Sequence, residues 1–143
     1  MLLPLVAVAD PASAVDTALA PCPDSPNCVS SQAVDDAHRI DPIAFEGAAD
    51  RALARLKEVI ARFPRARIVR EDGPRLQTEF TSLVFRFVDD VEFHVDADAR
   101  VVHVRSASRV GRYDFGVNRR RVEAIRARFG ESARSDGPSL PQT

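Results

Sequence analysis

From residue 45 to residue 63 the apolar positions recur at helical spacing. Phe45, Ala48, Ala49, Ala52, Leu53, Leu56, Val59, Ile60 and Phe63 fall on one face, while Arg51, Arg55, Glu58 and Arg62 take the other. Asp41 is a capping residue type, Pro42 suits a first turn and Pro64 stops a helix, so the pattern predicts a helix over 42–63. The period then changes to two. "RARIVRE" (65–71) and "RLQTEF" (75–80) alternate on either side of an Asp72-Gly73-Pro74 turn, with Leu76, Thr78 and Phe80 on one face. "SLVFRFVD" is strongly β-prone, and "DVEFHVD" (90–96) and "RVVHVRS" (100–106) turn Val91, Phe93, Val95, Val102 and Val104 to one side. Those residues share a face only if Asp98-Ala99 is the turn centre, a register that sets His94 opposite His103 and Glu92 opposite Arg105. A second helical stripe, Val117, Val122, Ile125 and Phe129, predicts a helix over 116–129, with Asp114 as its cap and Gly130 as its end.

Helix, four or five antiparallel strands and helix make an α+β protein. Two amphipathic helices must bury their stripes on one face of one sheet, which gives a two-layer sandwich with a polar outer face. The chain of 143 residues fits one domain, placed here at 21–130. Residues 131–143 read as a disordered tail, and residues 1–20 as a signal-like or disordered segment. The apolar run Leu2–Ala9, the break at Pro11 and Ala12-Ser13-Ala14 have the form of a secretion signal without its basic start. No apolar run of about 18 residues is present to span a bilayer as a helix.

Composition alters this picture in three ways. Apolar residues make up 45% of the chain, enough for a core. The net charge is -1 and aromatic residues are 6%, which argues against a nucleic-acid partner. The two cysteines, Cys22 and Cys28, bracket a proline-rich turn short enough for a disulfide; reduced thiols are the alternative, and the loop offers too few ligands for zinc. A disulfide favours a periplasmic or other extracytoplasmic setting, and free thiols the cytoplasm.

Three segments together are distinctive: "CPDSPNCVSS" (22–31), "FRFVDDVEF" (85–93) and "RSASRVGRYDFGVNRRRVE" (105–123). They resemble the uncharacterised family known as domain of unknown function 1499, over roughly residues 21–129. Arg112-Tyr113 departs from the pattern, in which an aromatic residue directly after Gly111 is expected. The resemblance implies an export or membrane-proximal setting and carries over no catalytic residue.

The candidate chemistry sits in the third segment. Ser106, Ser108, Arg109, Gly111, Asn118 and Arg119 gather around a loop that opens a helix, the composition of a pocket for phosphate, sulfate or carboxylate. The competing reading is structural, with Asp114 pairing Arg109 or Arg119 and the serines tying down the loop. No phosphate-loop signature is present. On the outer sheet face, His94, His103 and Glu92 form a weak metal candidate, opposed by Arg105 as a competitor for Glu92. Asp89-Asp90 reads as a solvated charge run at a turn rather than as a carboxylate pair. No nucleophile elbow or Ser-His-Asp order stands out, and Cys28 has no local histidine. Nothing calls for a cofactor. The sequence points to a non-catalytic binding or assembly module, its partner an anionic small molecule or a protein, with peripheral membrane association open. A small metal-dependent or hydrolase-like enzyme using the His94, His103 and Glu92 face is the alternative.

Overall fold

A computed structural model describes residues 16–137. The expectations for residues 1–15 and 138–143 lie outside the described residues. Six strands and two helices follow in the order β1 (Cys28–Ser30), β2 (Ile43–Ala44), α1 (Ala49–Ala61), β3 (Ala66–Asp72), β4 (Arg75–Thr81), β5 (Val88–Asp96), β6 (Val101–Ser108) and α2 (Val117–Ser135). All strand pairs are antiparallel, in the order β1-β6-β5-β4-β3, and β2 also pairs with β6. The protein is thus an α+β two-layer sandwich.

The β5–β6 register is the one that parity demands, with His94 opposite His103 and Glu92 opposite Arg105. Val91, Phe93, Val95, Val102 and Val104 are buried, as are Leu76 and Phe80 of β4 and Leu56, Val59, Ile60, Val122, Ile125 and Phe129 of the helices. These side chains belong to a single core cluster.

Several elements depart from the sequence pattern, each for a long-range reason. The first helix starts at Ala49 rather than at 42, because Ile43–Ala44 pair with Val102–Val101 and Phe45 N–H donates to the Arg100 carbonyl. Asp41 and Pro42 cap nothing; their carbonyls accept from the Arg126 guanidinium at 2.6 and 2.7 Å. Residues 82–87 form an exposed loop rather than a strand, and β5 begins only at Val88. The second helix passes through Gly130 to Ser135, so residues 131–135 are helix and not tail. Its last turn is held by the Ser135 hydroxyl donating to the Glu131 carbonyl and by Arg55 reaching Asp136. The buried stripe of α2 starts at Asn118; Val117, counted inward from the sequence, is 39% exposed.

The first described residues also pack. Leu19 is buried, its N–H donates to the Gln32 side chain, and Arg75 donates to the carbonyls of Asp16 and Ala18. Structure therefore begins before the boundary placed at residue 21.

Two histidines carry opposite pH signatures. His94 is buried on the outer side of the sheet, and that burial, together with Arg75 and His103, holds its pKa below the ordinary value. His38 accepts the opposite influence: its ring contacts the Ser25 carbonyl and the Asp35 carboxylate, which raise its pKa. The stability held by neutral His94 is fully present above the unfolded-state value of about 6.5 and is lost as pH falls towards its lowered folded value. The contribution of His38 is fully present below about 6.5 and is lost as pH rises through its raised folded value. Urea midpoints measured from pH 5 to 8 should therefore lose their acid-side slope in His94→Leu and their neutral-side slope in His38→Gln. Parallel curves for wild type and His94→Leu would show that His94 is not held neutral by the fold.

Candidate functional site

The Arg-rich stretch after β6 is built around one buried asparagine. Asn118, fully buried in the first turn of α2, accepts at Oδ1 from the Ser106 hydroxyl (2.7 Å) and from Arg121 (3.0 Å). Its Nδ2 faces the Ser108 hydroxyl (2.9 Å), Asp114 Oδ2 (2.8 Å) and the Asn27 carbonyl (3.2 Å). Arg121 continues the network to Asp89 at 2.6 Å, a pair whose side chains are only 12% and 10% exposed. Asn27 closes it by donating from Nδ2 to the Gly111 carbonyl. The Cys22–Cys28 disulfide, with Cα atoms 5.7 Å apart, braces the loop that carries Asn27. Buried polar groups are costly unless partnered, and a connected set of this kind pins the loop, strand and helix in one arrangement.

Asp114 does cap α2, from two residues before the N-cap position. Its carboxylate accepts from the N–H groups of Gly116 (2.9 Å) and Asn118 (3.0 Å). Burial pushes its pKa up, but these donors and the Asn118 side chain outweigh that and hold it below the usual value. The helix start thus already has an anion in the form of a protein carboxylate.

The other residues assigned to the anion pocket have partners of their own. Arg109 binds Asp90 (2.6 Å) and Glu79 (3.0 Å), not Asp114, and both carboxylates hold its pKa above the ordinary range. Arg119 donates to the carbonyls of Arg39 (2.8 Å) and Ala37 (3.2 Å). Ser106, Ser108, Gly111 and Asn118 are brought together in the network, and Arg109 and Arg119 diverge from it. Asp89 is a buried pair member rather than part of a solvated run. Parity carried that signal, since Asp89 lies on the same side of β5 as Val91 and Phe93. Asn27 and Arg121 had no such local sign.

On the outer face, His103 Nε2 lies 3.2 Å from Asp96, and the Nδ1 atoms of His94 and His103 are buried without a partner among the described residues. No group of three or more His, Cys, Asp or Glu side chains among the described residues is placed to hold a metal ion.

The network lies beneath one end of the sheet, and that end has a marked surface. β4 finishes, β5 begins and β6 finishes there, and Arg109 N–H donates to the Val88 carbonyl across the two loops. Among the described residues ten large hydrophobic side chains are exposed, and eight belong to these loops and the α2 start: Leu83, Val84, Phe85, Phe87, Val110, Tyr113, Phe115 and Val117. Phe85 and Phe87 stack with ring centroids 5.7 Å apart. Phe115 is 90% exposed in a left-handed backbone conformation (φ 54), uncommon for a bulky residue. Arg65 and Arg86, which flank the same end, also have positive φ. Arg86, Arg112 and Arg120 have no carboxylate partner among the described residues, and Asp114 is the one acidic residue in 109–117.

The buried network draws its members from the same three segments that are distinctive in sequence: Asn27 from the first, Asp89 from the second, and Ser106, Ser108, Asp114, Asn118 and Arg121 from the third. The family model described as protein of unknown function (DUF1499) matches residues 18–129. The chain belongs to the DUF1499 family. No curated protein and no solved structure matches it. The matched range contains the whole network, the disulfide and both loops of the apolar end, so this site is part of the DUF1499 unit itself rather than an appendage to it.

Proposed function

We propose that this DUF1499 domain is a non-catalytic docking module that seats its apolar end on an anionic membrane surface. The observation that carries this reading is the concentration of eight of the ten exposed large hydrophobic side chains at one end of the sheet, among arginines without carboxylate partners. Contiguous exposed apolar surface marks an interaction site. The apolar residues sit on two adjacent loops beside the α2 start, a form suited to entering the headgroup layer. Their arginines add attraction of about 1 kcal/mol each near an anionic surface. No helix among the described residues is long and apolar enough to cross a membrane; the attachment proposed for this end is peripheral. The polar network beneath gives the loops a rigid base, and the disulfide supports an oxidising, extracytoplasmic setting.

Sedimentation with vesicles tests the reading. The protein should bind vesicles containing phosphatidylglycerol, bind phosphatidylcholine vesicles weakly, and release from the former as salt rises. Phe85→Ser with Phe115→Asn should cut binding at least tenfold, since a buried Phe contributes roughly 1.5–3 kcal/mol. Asn tolerates the left-handed backbone at 115, so the fold is spared. Val34→Ser, at a fully exposed site elsewhere, should bind as wild type. Undiminished binding by the double variant, or none by wild type, would end the proposal.

A further inference from the structure

We infer that a cleft beside the apolar end binds one anionic amphiphile, an acidic headgroup carrying an alkyl chain. This rests on the membrane-docking reading and gives it headgroup selectivity.

The cleft, about 370 Å³, lies between the start of α2 and the β3–β4 edge of the sheet and is lined by Phe63, Pro64, Arg65, Phe80, Thr81, Ser82, Val117, Arg120 and Arg121. Its floor is the edge-to-face pair Phe63 and Phe80, 5.7 Å between centroids; Phe80 is buried, Arg128 lies 4.0 Å over the Phe63 ring, and Val117 stands on the wall. No carboxylate lines it. The cations differ in availability. Arg121 is committed to Asp89 and lies 5.1 Å over the Phe80 ring. Arg65 uses Nε on the Thr81 carbonyl, and Arg120 uses Nη1 on the Phe115 carbonyl. Each of these two keeps further N–H donors that meet no acceptor among the described residues. The bonds they do make anchor both guanidinium groups at the rim, which lowers the entropy lost on gripping a ligand. The Ser82 hydroxyl accepts from Phe87 N–H and keeps its own proton to donate.

Charge and shape together select the ligand. Two anchored guanidinium groups without a counter-charge fit a phosphate or carboxylate. An aromatic floor fits methylene groups and gives nothing to a bare anion. The volume is at the small end for a ligand site, so a headgroup and the first part of one chain fit where a whole lipid does not. The cleft shares Val117 with the exposed apolar end, so a chain leaving it runs into the same surface that meets the bilayer.

The test uses monomeric dihexanoyl phosphatidate, below its micelle concentration, with inorganic phosphate alongside. The short-chain phosphatidate should raise the melting temperature in a saturable way and shift amide resonances at Phe63, Phe80 and Val117, while phosphate at equal concentration should do neither. Arg65→Gln with Arg120→Gln should weaken phosphatidate binding at least tenfold without changing the circular dichroism spectrum. Phe85→Ser with Phe115→Asn should still bind phosphatidate while failing on vesicles, which separates cleft from docking surface. Equal stabilisation by inorganic phosphate, unchanged affinity in the double arginine variant, or vesicle binding without any phosphatidate binding would each overturn the cleft. The last result would leave the docking reading standing.

Discussion

Replacing Arg121 with alanine is expected to destabilise the fold by about 3–5 kcal/mol. Arg121 is the counter-charge of Asp89 at 2.6 Å, and both side chains are almost wholly buried between α2 and the sheet. Its guanidinium also donates to Asn118 and packs over Phe80. Alanine at 121 leaves Asp89 charged, buried and unpaired, and leaves Asn118 Oδ1 with one donor fewer. For a domain of this size each kcal/mol shifts the melting midpoint by about 3–5 °C, so a fall of about 9–25 °C follows. Arg120→Ala is the contrast, because Arg120 is exposed and donates only to the Phe115 carbonyl; about 0.5 kcal/mol or less is expected. The paired replacement Asp89→Leu with Arg121→Met should cost less than the sum of the two single changes, since no charge is left unmatched. If Arg121→Ala and Arg120→Ala prove equally mild, the network does not brace the fold.

Phe93→Ala should cost about 3–5 kcal/mol, read as a lowered urea midpoint with unchanged slope. Phe93 is 1% exposed, faces Leu76 on β4 and Val104 on β6, and belongs to the core cluster under both helices. Truncation there opens a cavity that neighbours on three sides cannot fill. Phe85→Ala removes the same ring from a side chain that is 75% exposed, and stability should stay within about 0.5 kcal/mol of wild type. A large stability loss at Phe85 would mean that the apolar end is part of the core. A mild Phe93→Ala would mean that the inner face of the sheet has been misassigned.

The central hairpin and the stripes of both helices were legible because each is a local periodicity. Alternation along Val91–Val95 and Val102–Val104 excludes every one-residue slip, and a turn centred on Asp98-Ala99 selects the register that the structure has. Helix bounds were less legible, because the competing pairing was distant. Nothing near Ile43 announces that its backbone joins Val102 rather than a helix. The arginine cluster shows the same limit more sharply. Residue types were visible at 109, 119 and 121, but their acceptors were not: Arg119 ends on carbonyls 80 and 82 residues earlier, and every residue has a carbonyl. The loop at 82–87 misled because β-prone residues do not make a strand when alternation fails. Leu83, Val84 and Phe85 are apolar in succession, so no single face could bury them.

The edges of the sheet also bear on how the protein behaves when concentrated. An unpaired edge strand is a template on which another chain can add, and a protein with an exposed apolar end is the kind most at risk of growing that way. Here β2 and β1 cover the free side of β6 in turn, at Val101–Val102 and at Arg105–Ala107. The opposite edge, β3, is charged along its length with Arg67, Arg70, Glu71 and Asp72, and its register breaks between Ile68 and Arg70. Neither side offers a flat, uncharged run of backbone for strand addition. Among the described residues, self-association is therefore expected through the exposed apolar end rather than the sheet edges, so clusters formed that way should disperse with detergent and should not elongate into fibres.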